Sequence, residues 1–211
     1  MNLSRCVACD LPVLELEGQF TKLDSFFIQQ GAPPPETAGW WHARCLAGSA
    51  AAPAWYAARL RSYRDMRRFE PIAEPAGWTV LRSPQRDKVL ALAQSGELLE
   101  LSAYPRKQGR AVDGGVIVPH VDEEFHLELE DAAIIDTIKV ELAASGTYPL
   151  SAVLAALGIA DRVVHPEALE RGAFHRVRSL EEHWGPHAVS ARVEYGVFIP
   201  AEVAPFLGGA A

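Results

Sequence analysis

Apolar residues recur along this chain with two different periods, and the change from one to the other predicts its elements. The stretch "QGAPPPETAG" (30–39) has no period at all; its consecutive prolines remove amide donors and predict a loop. After the spacer "GSAAAP" (48–53) a helical spacing begins. Tyr56, Leu60 and Tyr63 follow at i, i+4 and i+7, and Pro53 suits the first turn. Arg61, Arg64 and Arg68 recur at helical spacing on the opposite side. Two prolines and a glycine in "EPIAEPAG" (70–77) then end the pattern and predict a module boundary.

Beyond that boundary the period shortens. "GWTVLRS" reads as a strand. "KVLALAQSGELLELSAY" (88–104) fits a hairpin turning at Ser95-Gly96, and it equally fits a short helix over 86–94, because a continuous apolar run does not distinguish the two. "YPRKQGRAVDGG" (104–115) predicts a polar loop, within which "VDGGV" is a turn. In "GVIVPHVDEEFHLEL" (115–129), Phe125, Leu127 and Leu129 alternate with charged residues, as on an extended strand. "DAAIIDTIKVELAAS" (131–145) returns to the helical period, with Asp131 as N-cap, Ile134, Ile138 and Leu142 on one face, and Gly146 as its end. "YPLSAVLAALGI" (148–159) predicts a shorter helix, "SLEEHW" (179–184) another, and "HAVSARVEYGVFIP" (187–200) a strand. Strands, then helices, then a late strand imply an α+β fold with a mainly antiparallel sheet rather than a βαβ series. The expected organisation is a small N-terminal module (1–70), including the arginine-bearing helix, followed by a larger α+β domain (71–211).

Charge sharpens this division. The 211 residues carry a formal net charge of −7. Residues 1–70 hold eight Lys/Arg and seven Asp/Glu, which leaves twelve and twenty for residues 71–211. The second part is therefore the acidic one, and an acidic surface repels phosphate backbones unless a local basic patch overrides it. No apolar run is long enough for a membrane helix, and "MNLSRCVACD" has no apolar export core, so a cytoplasmic location without membrane association is expected.

All three cysteines sit in two short stretches, "SRCVACDLP" and "GWWHARCLAG". Cys6 and Cys9 form a C-x2-C pair, and His42 and Cys45 an H-x2-C pair about thirty residues later. The i, i+3 spacing lets each pair converge on one ion, and thiolate with imidazole suits tetrahedral zinc. Three sulfurs and one nitrogen fill the coordination shell, so one structural Zn²⁺ per chain is expected, with no position open for substrate. Arg5 and Arg44 are placed to offset the excess negative charge. A helix starting at His42 would turn its first amides toward the Cys45 thiolate. The plainer alternative is a surface thiol pair at Cys6 and Cys9, with Cys45 buried and His42 merely packed. A redox pair would need a βαβ surround that the first residues lack.

The knuckle, the span and the aromatic pair Trp40-Trp41 ahead of His42 and Cys45, followed by Leu46, resemble the zinc finger of poly(ADP-ribose) polymerases. The likeness covers roughly the first fifty residues. It implies a knuckle, hairpin and helix in a treble-clef-like arrangement. In that family such fingers recognise DNA breaks through basic residues and exposed apolar loops.

Three functions follow as expectations. The first is a non-enzymatic protein-interaction protein, an adaptor or an inhibitor or immunity-type partner, whose acidic part faces a basic protein. The second is a nucleic-acid-binding finger that grips phosphates with Arg61, Arg64 and Arg68, supported by Arg59 and Arg67. The third is a hydrolase or nuclease that uses His120, Asp122, Glu124 and His126 from one side of a strand. Each has a plain counterpart: a solvated helix face for the arginines, and a half-exposed strand for the histidines. No P-loop, G-x-S-x-G or G-x-G-x-x-G motif occurs.

Overall fold

The computed structural model describes residues 5–13, 20–23, 39–86, 88–100, 109–128, 132–179 and 188–206. Strand β1 (Phe20–Leu23) pairs antiparallel with β2 (Gly39–His42), and β2 runs directly into helix α1 (Ala43–Ala47). Helix α2 (Ala52–Arg61) carries Pro53 in its first turn and continues as one wider, π-type turn over Ser62–Met66. A four-stranded antiparallel meander follows, formed by β3 (Glu70–Ala73), β4 (Trp78–Arg82), β5 (Val89–Ala93) and β6 (Leu98–Glu100). The proline-marked break at 70–77 thus contains an edge strand, a position where Pro71 costs the sheet no central hydrogen bond.

The second sheet has five strands in the order β7-β8-β11-β10-β9, all antiparallel. They are β7 (Arg110–Val112), β8 (Gly115–Glu128), β9 (Tyr148–Pro149), β10 (Ala173–Ser179) and β11 (Ala188–Pro200). Helices α3 (Ala132–Ser145), α4 (Leu150–Ala156) and α5 (Pro166–Leu169) complete an α+β fold. Residues 110–112, expected as loop, form β7 because Asp113 and Gly114 close a tight hairpin onto Gly115. Asp131, the expected cap of α3, and most of the 30–39 loop lie outside the described residues, as does the helix expected over 179–184 apart from Ser179, which ends β10.

Helix α3 buries Ile135, Ile138 and Leu142, with Ile134 only partly covered. They meet Leu150 and Val153 of α4 and the β11 face made by Val193, Tyr195, Val197 and Ile199. The other face of β11 places Phe198 against Ile117 and Ala168. The four-stranded sheet is covered on both sides. Val80 and Ala91 join the same core as β11, whereas Leu81, Leu90 and Leu92 lie under Tyr63 and Trp55 of the α2 segment. Burial on both faces is why "VLALA" is an unbroken apolar run rather than an alternating one. The sheet-facing hydroxyl of Thr79 is satisfied by Tyr56, with the two oxygens 2.7 Å apart. His165 ties the two sheets together: its ring stacks on Phe198 at 3.9 Å, and its Nε2 lies 3.3 Å from Glu97 Oε1.

The β5–β6 turn is held by Gly96 at φ +98°, where a Cβ would stand 2.9 Å from Leu46 Cδ2 and 3.5 Å from Trp55 Cε3. This close approach brings α1, α2 and the sheet together. Gly96→Ala adds both backbone strain and a clash, and is expected to lower stability by about 1–3 kcal/mol. An unchanged urea midpoint for the variant would contradict this packing.

Candidate metal centre

The first residues fold back on themselves because the backbone bonds locally. The Cys6 amide donates to the Leu11 carbonyl at 2.9 Å, and the Asp10 amide donates to the Cys6 carbonyl at 2.8 Å. Asp10 closes the turn in the left-handed region, at φ 57°, which Asp tolerates better than most residues. Arg5 Nη1 donates to the Asp10 carbonyl at 2.7 Å. The turn then docks on β2, where the Val7 amide donates to the Trp40 carbonyl at 2.9 Å. Gly39 permits this contact, since a Cβ there would lie 2.6 Å from Val7 Cγ2.

Strand β2 ends at His42, whose backbone is extended (φ −68°, ψ 139°) and which serves as N-cap of α1. Cys45 lies one turn later on that helix. The ligand atoms of Cys6, Cys9, His42 and Cys45 all lie within 4.8 Å of one another, and this group can hold a metal ion. Cys9 Sγ is 3.4 Å and Cys45 Sγ 3.9 Å from His42 Nδ1. A tetrahedral ion with metal–sulfur bonds of about 2.3 Å and metal–nitrogen bonds of about 2.0 Å needs ligand separations near 3.5–3.8 Å. The two sulfur–nitrogen separations, 3.4 and 3.9 Å, bracket that requirement, and the whole group, within 4.8 Å, lies close enough to converge on one ion.

The histidine is oriented from behind. His42 is fully buried, and its Nε2–H donates to the Pro12 carbonyl at 2.9 Å. That bond leaves the Nδ1 lone pair facing the sulfurs, the usual way a second hydrogen bond selects the ligating nitrogen. Burial is the main reason that His42 is held below its ordinary pKa, and the nearby Arg162 adds to this. A neutral imidazole is the form that binds a cation.

The three thiols differ. Burial raises Cys6, but amide hydrogen bonds from His42, Ala8 and Cys9 outweigh it and set the thiol below its usual value. The His42 amide donates to Cys6 Sγ at 3.5 Å. Cys45 is pushed up to about 12, first by burial and then by the neighbouring Cys6. The sequence expectation placed favouring amides of the α1 start at Cys45; the amide contact observed at that helix end is the one from His42 to Cys6. Arg5 and Arg44, expected to offset the charge, bind carbonyls; Arg44 Nη1 donates to Asp161 at 2.9 Å. That bond joins α1 to the 160–162 turn of the second part of the chain.

The other expected site residues fall elsewhere. Arg61, Arg64 and Arg68 are all exposed, on and just after α2. Arg59 and Arg67 lie over the rings of Trp55 and Tyr63, at 5.2 and 5.0 Å. His120, Asp122, Glu124 and His126 lie on β8, with side chains outside the described residues. In that strand the register inserts one extra residue between Asp122 and Phe125 opposite β11, so the two-residue period expected through 120–126 is interrupted. A cavity of about 90 Å³ is lined mostly by apolar side chains, Leu154, Val163, Pro166 and Leu169 among them, with Ser151 and Glu170, and includes no histidine or cysteine. The Pro12 carbonyl is the functional group that sequence reasoning misses, because a backbone acceptor leaves no mark in residue type.

Loss of one sulfur should expose the cost of an incomplete shell. Cys9→Ser is expected to weaken cobalt(II) binding by at least about 100-fold and to remove intensity from the sulfur-to-cobalt absorption band. Binding at wild-type strength would show that Cys9 is no ligand. No protein-family model matches this chain, and neither a curated protein nor a solved structure matches it.

Proposed function

We propose that this is a zinc-clasped, cytoplasmic protein that works by binding another protein, as an adaptor or an inhibitor or immunity-type partner, and not by catalysis. The observation that carries the reading is the convergent donor set: three sulfurs and one imidazole lie within 4.8 Å of one another and would fill every tetrahedral position around one ion, with Cys6 and His42 buried and Cys9 and Cys45 half-buried. A soft donor set of this kind favours Zn²⁺, which in a closed shell stabilises structure and leaves no coordination position for substrate. Reduced thiols at Cys6, Cys9 and Cys45 suit a reducing compartment. The order of knuckle, β1–β2 hairpin and α1 agrees with the treble-clef-like finger that the resemblance to poly(ADP-ribose) polymerase fingers implies. The acidic balance of residues 71–211 fits a basic protein surface.

Nucleic-acid binding is the second reading. The exposure of Arg61, Arg64 and Arg68 supports it, and the net charge of −7 opposes it. Capture from lysate with the tagged, zinc-loaded chain, before and after nuclease digestion, separates the two. The expected result is a protein partner that survives nuclease and is lost after chelation, because the clasp contributes about 10 kcal/mol to folding. Recovery of nucleic acid alone would overturn the protein-binding reading.

A further inference from the structure

The arginines of the α2 segment do not stand alone. The Phe69 amide donates to the Tyr63 carbonyl at 2.9 Å and turns the chain from the π-type turn into β3. In the β3–β4 register Glu70 pairs with Arg82. Residues just before Glu70 therefore lie beside residues just after Arg82. That places Arg67 and Arg68 at the same end of the four-stranded sheet as the β4–β5 turn, which carries Arg86. Two segments far apart in sequence thus build one basic surface.

Its charge opposes the rest of the molecule. Residues 59–88 hold eight Lys/Arg and four Asp/Glu, so the remainder of the chain holds twelve and twenty-three. Among the described residues no carboxylate forms an ion pair with Arg64, Arg68 or Arg86, and all three are exposed. The backbone is unusual at the same place. Arg68 (φ 58°) and Arg86 (φ 63°) are, with Asp10, the non-glycine residues in the left-handed region among those described. Arginine gains nothing locally from that conformation, and such outliers cluster at functional surfaces. The π-type turn, another feature common at functional sites, carries Arg64 and Met66. Met66 is a large apolar side chain, 44% exposed in this charged surround.

We infer that this end of the four-stranded sheet docks a carboxylate-rich segment of a partner protein. Arg64 and Arg68 on one side and Arg86 on the other pair with its carboxylates, around an apolar contact at Met66. The inference deepens the protein-binding reading above and rests on it: the partner that meets the acidic part of the chain with a basic surface meets this one basic end with a separate acidic segment. A protein segment fits better than nucleic acid for three reasons. Trp55 and Tyr63 are buried, and the half-buried Phe69 is engaged edge-on with Tyr63 at 5.4 Å, so the surface offers little free ring for base stacking. The acidic remainder repels a long polyanion but acts weakly on a short segment within a Debye length of the patch. Met66 has a use against an apolar side chain and none against a phosphate backbone.

The test uses the full zinc-loaded chain and fluorescence anisotropy. The probes are a labelled short peptide of glutamates interspersed with leucine, and labelled single-stranded and duplex DNA. The peptide is expected to bind more tightly than either DNA, and added salt should weaken it. Arg64→Glu and Arg86→Glu should each reduce affinity about tenfold or more, with circular dichroism unchanged. Arg86→Asn, which suits the left-handed backbone, repeats the test without reversing charge and should also weaken binding. Tighter binding of DNA, no binding of the peptide, or wild-type affinity in both Arg86 variants would overturn the inference. In the lysate capture, the Arg64→Glu/Arg86→Glu double variant is expected to lose the partner. Retention of a nuclease-resistant partner by that variant would overturn docking here while leaving the protein-binding reading intact.

Discussion

The hydrogen bond from His42 to the Pro12 carbonyl is the constraint on which the N-terminal architecture depends. It fixes the imidazole so that Nδ1 faces three sulfurs, and it ties the knuckle's exit to the junction of β2 and α1. Without a cation the site is poorly balanced: burial pushes Cys45 up to about 12 while backbone amides hold Cys6 down. A divalent ion would supply the positive charge that these thiols lack among their direct contacts, since the guanidinium groups of Arg5 and Arg44 are bonded to backbone carbonyls.

That clasp does not stand apart from the rest of the protein. Cys6 and Val13 belong to the same apolar core as Val80, Ala91 and the β11 face. Trp41, Leu46, Trp55 and Leu92 form a second cluster linking the finger, α2 and the four-stranded sheet. Arg44 reaches Asp161, and Glu97 meets His165. Ordering of the knuckle is thus felt by both sheets, including the sheet end proposed to dock a partner. A binding surface gains affinity from this, because side chains and loops already in place lose little freedom on docking.

Much of this was legible in the residues. The four candidate ligands were marked by type and spacing alone, since an i, i+3 pair of soft donors points both side chains the same way. Helices α3 and α4 and strands β4, β8 and β11 followed from their periods. Less legible were β10, whose "AFHRVRS" mixes its single buried aromatic, Phe174, with charged residues, and β9, which exists only because β10 pairs with it. The hairpin at 89–100 stayed ambiguous against a helix because a strand covered on both faces loses its alternation.

Residue type and local spacing therefore determined the two candidate ligand pairs, the α+β class and the basic helix, because each pair, helix and strand is written in residues a few positions apart. Tertiary structure alone decided which carbonyl orients His42, which thiol the helix amide serves, and that Arg86 joins Arg64 and Arg68 at one end of a sheet. Those outcomes depend on strand register and on the burial of distant segments against one another. Neither quantity is carried by any single stretch of the chain.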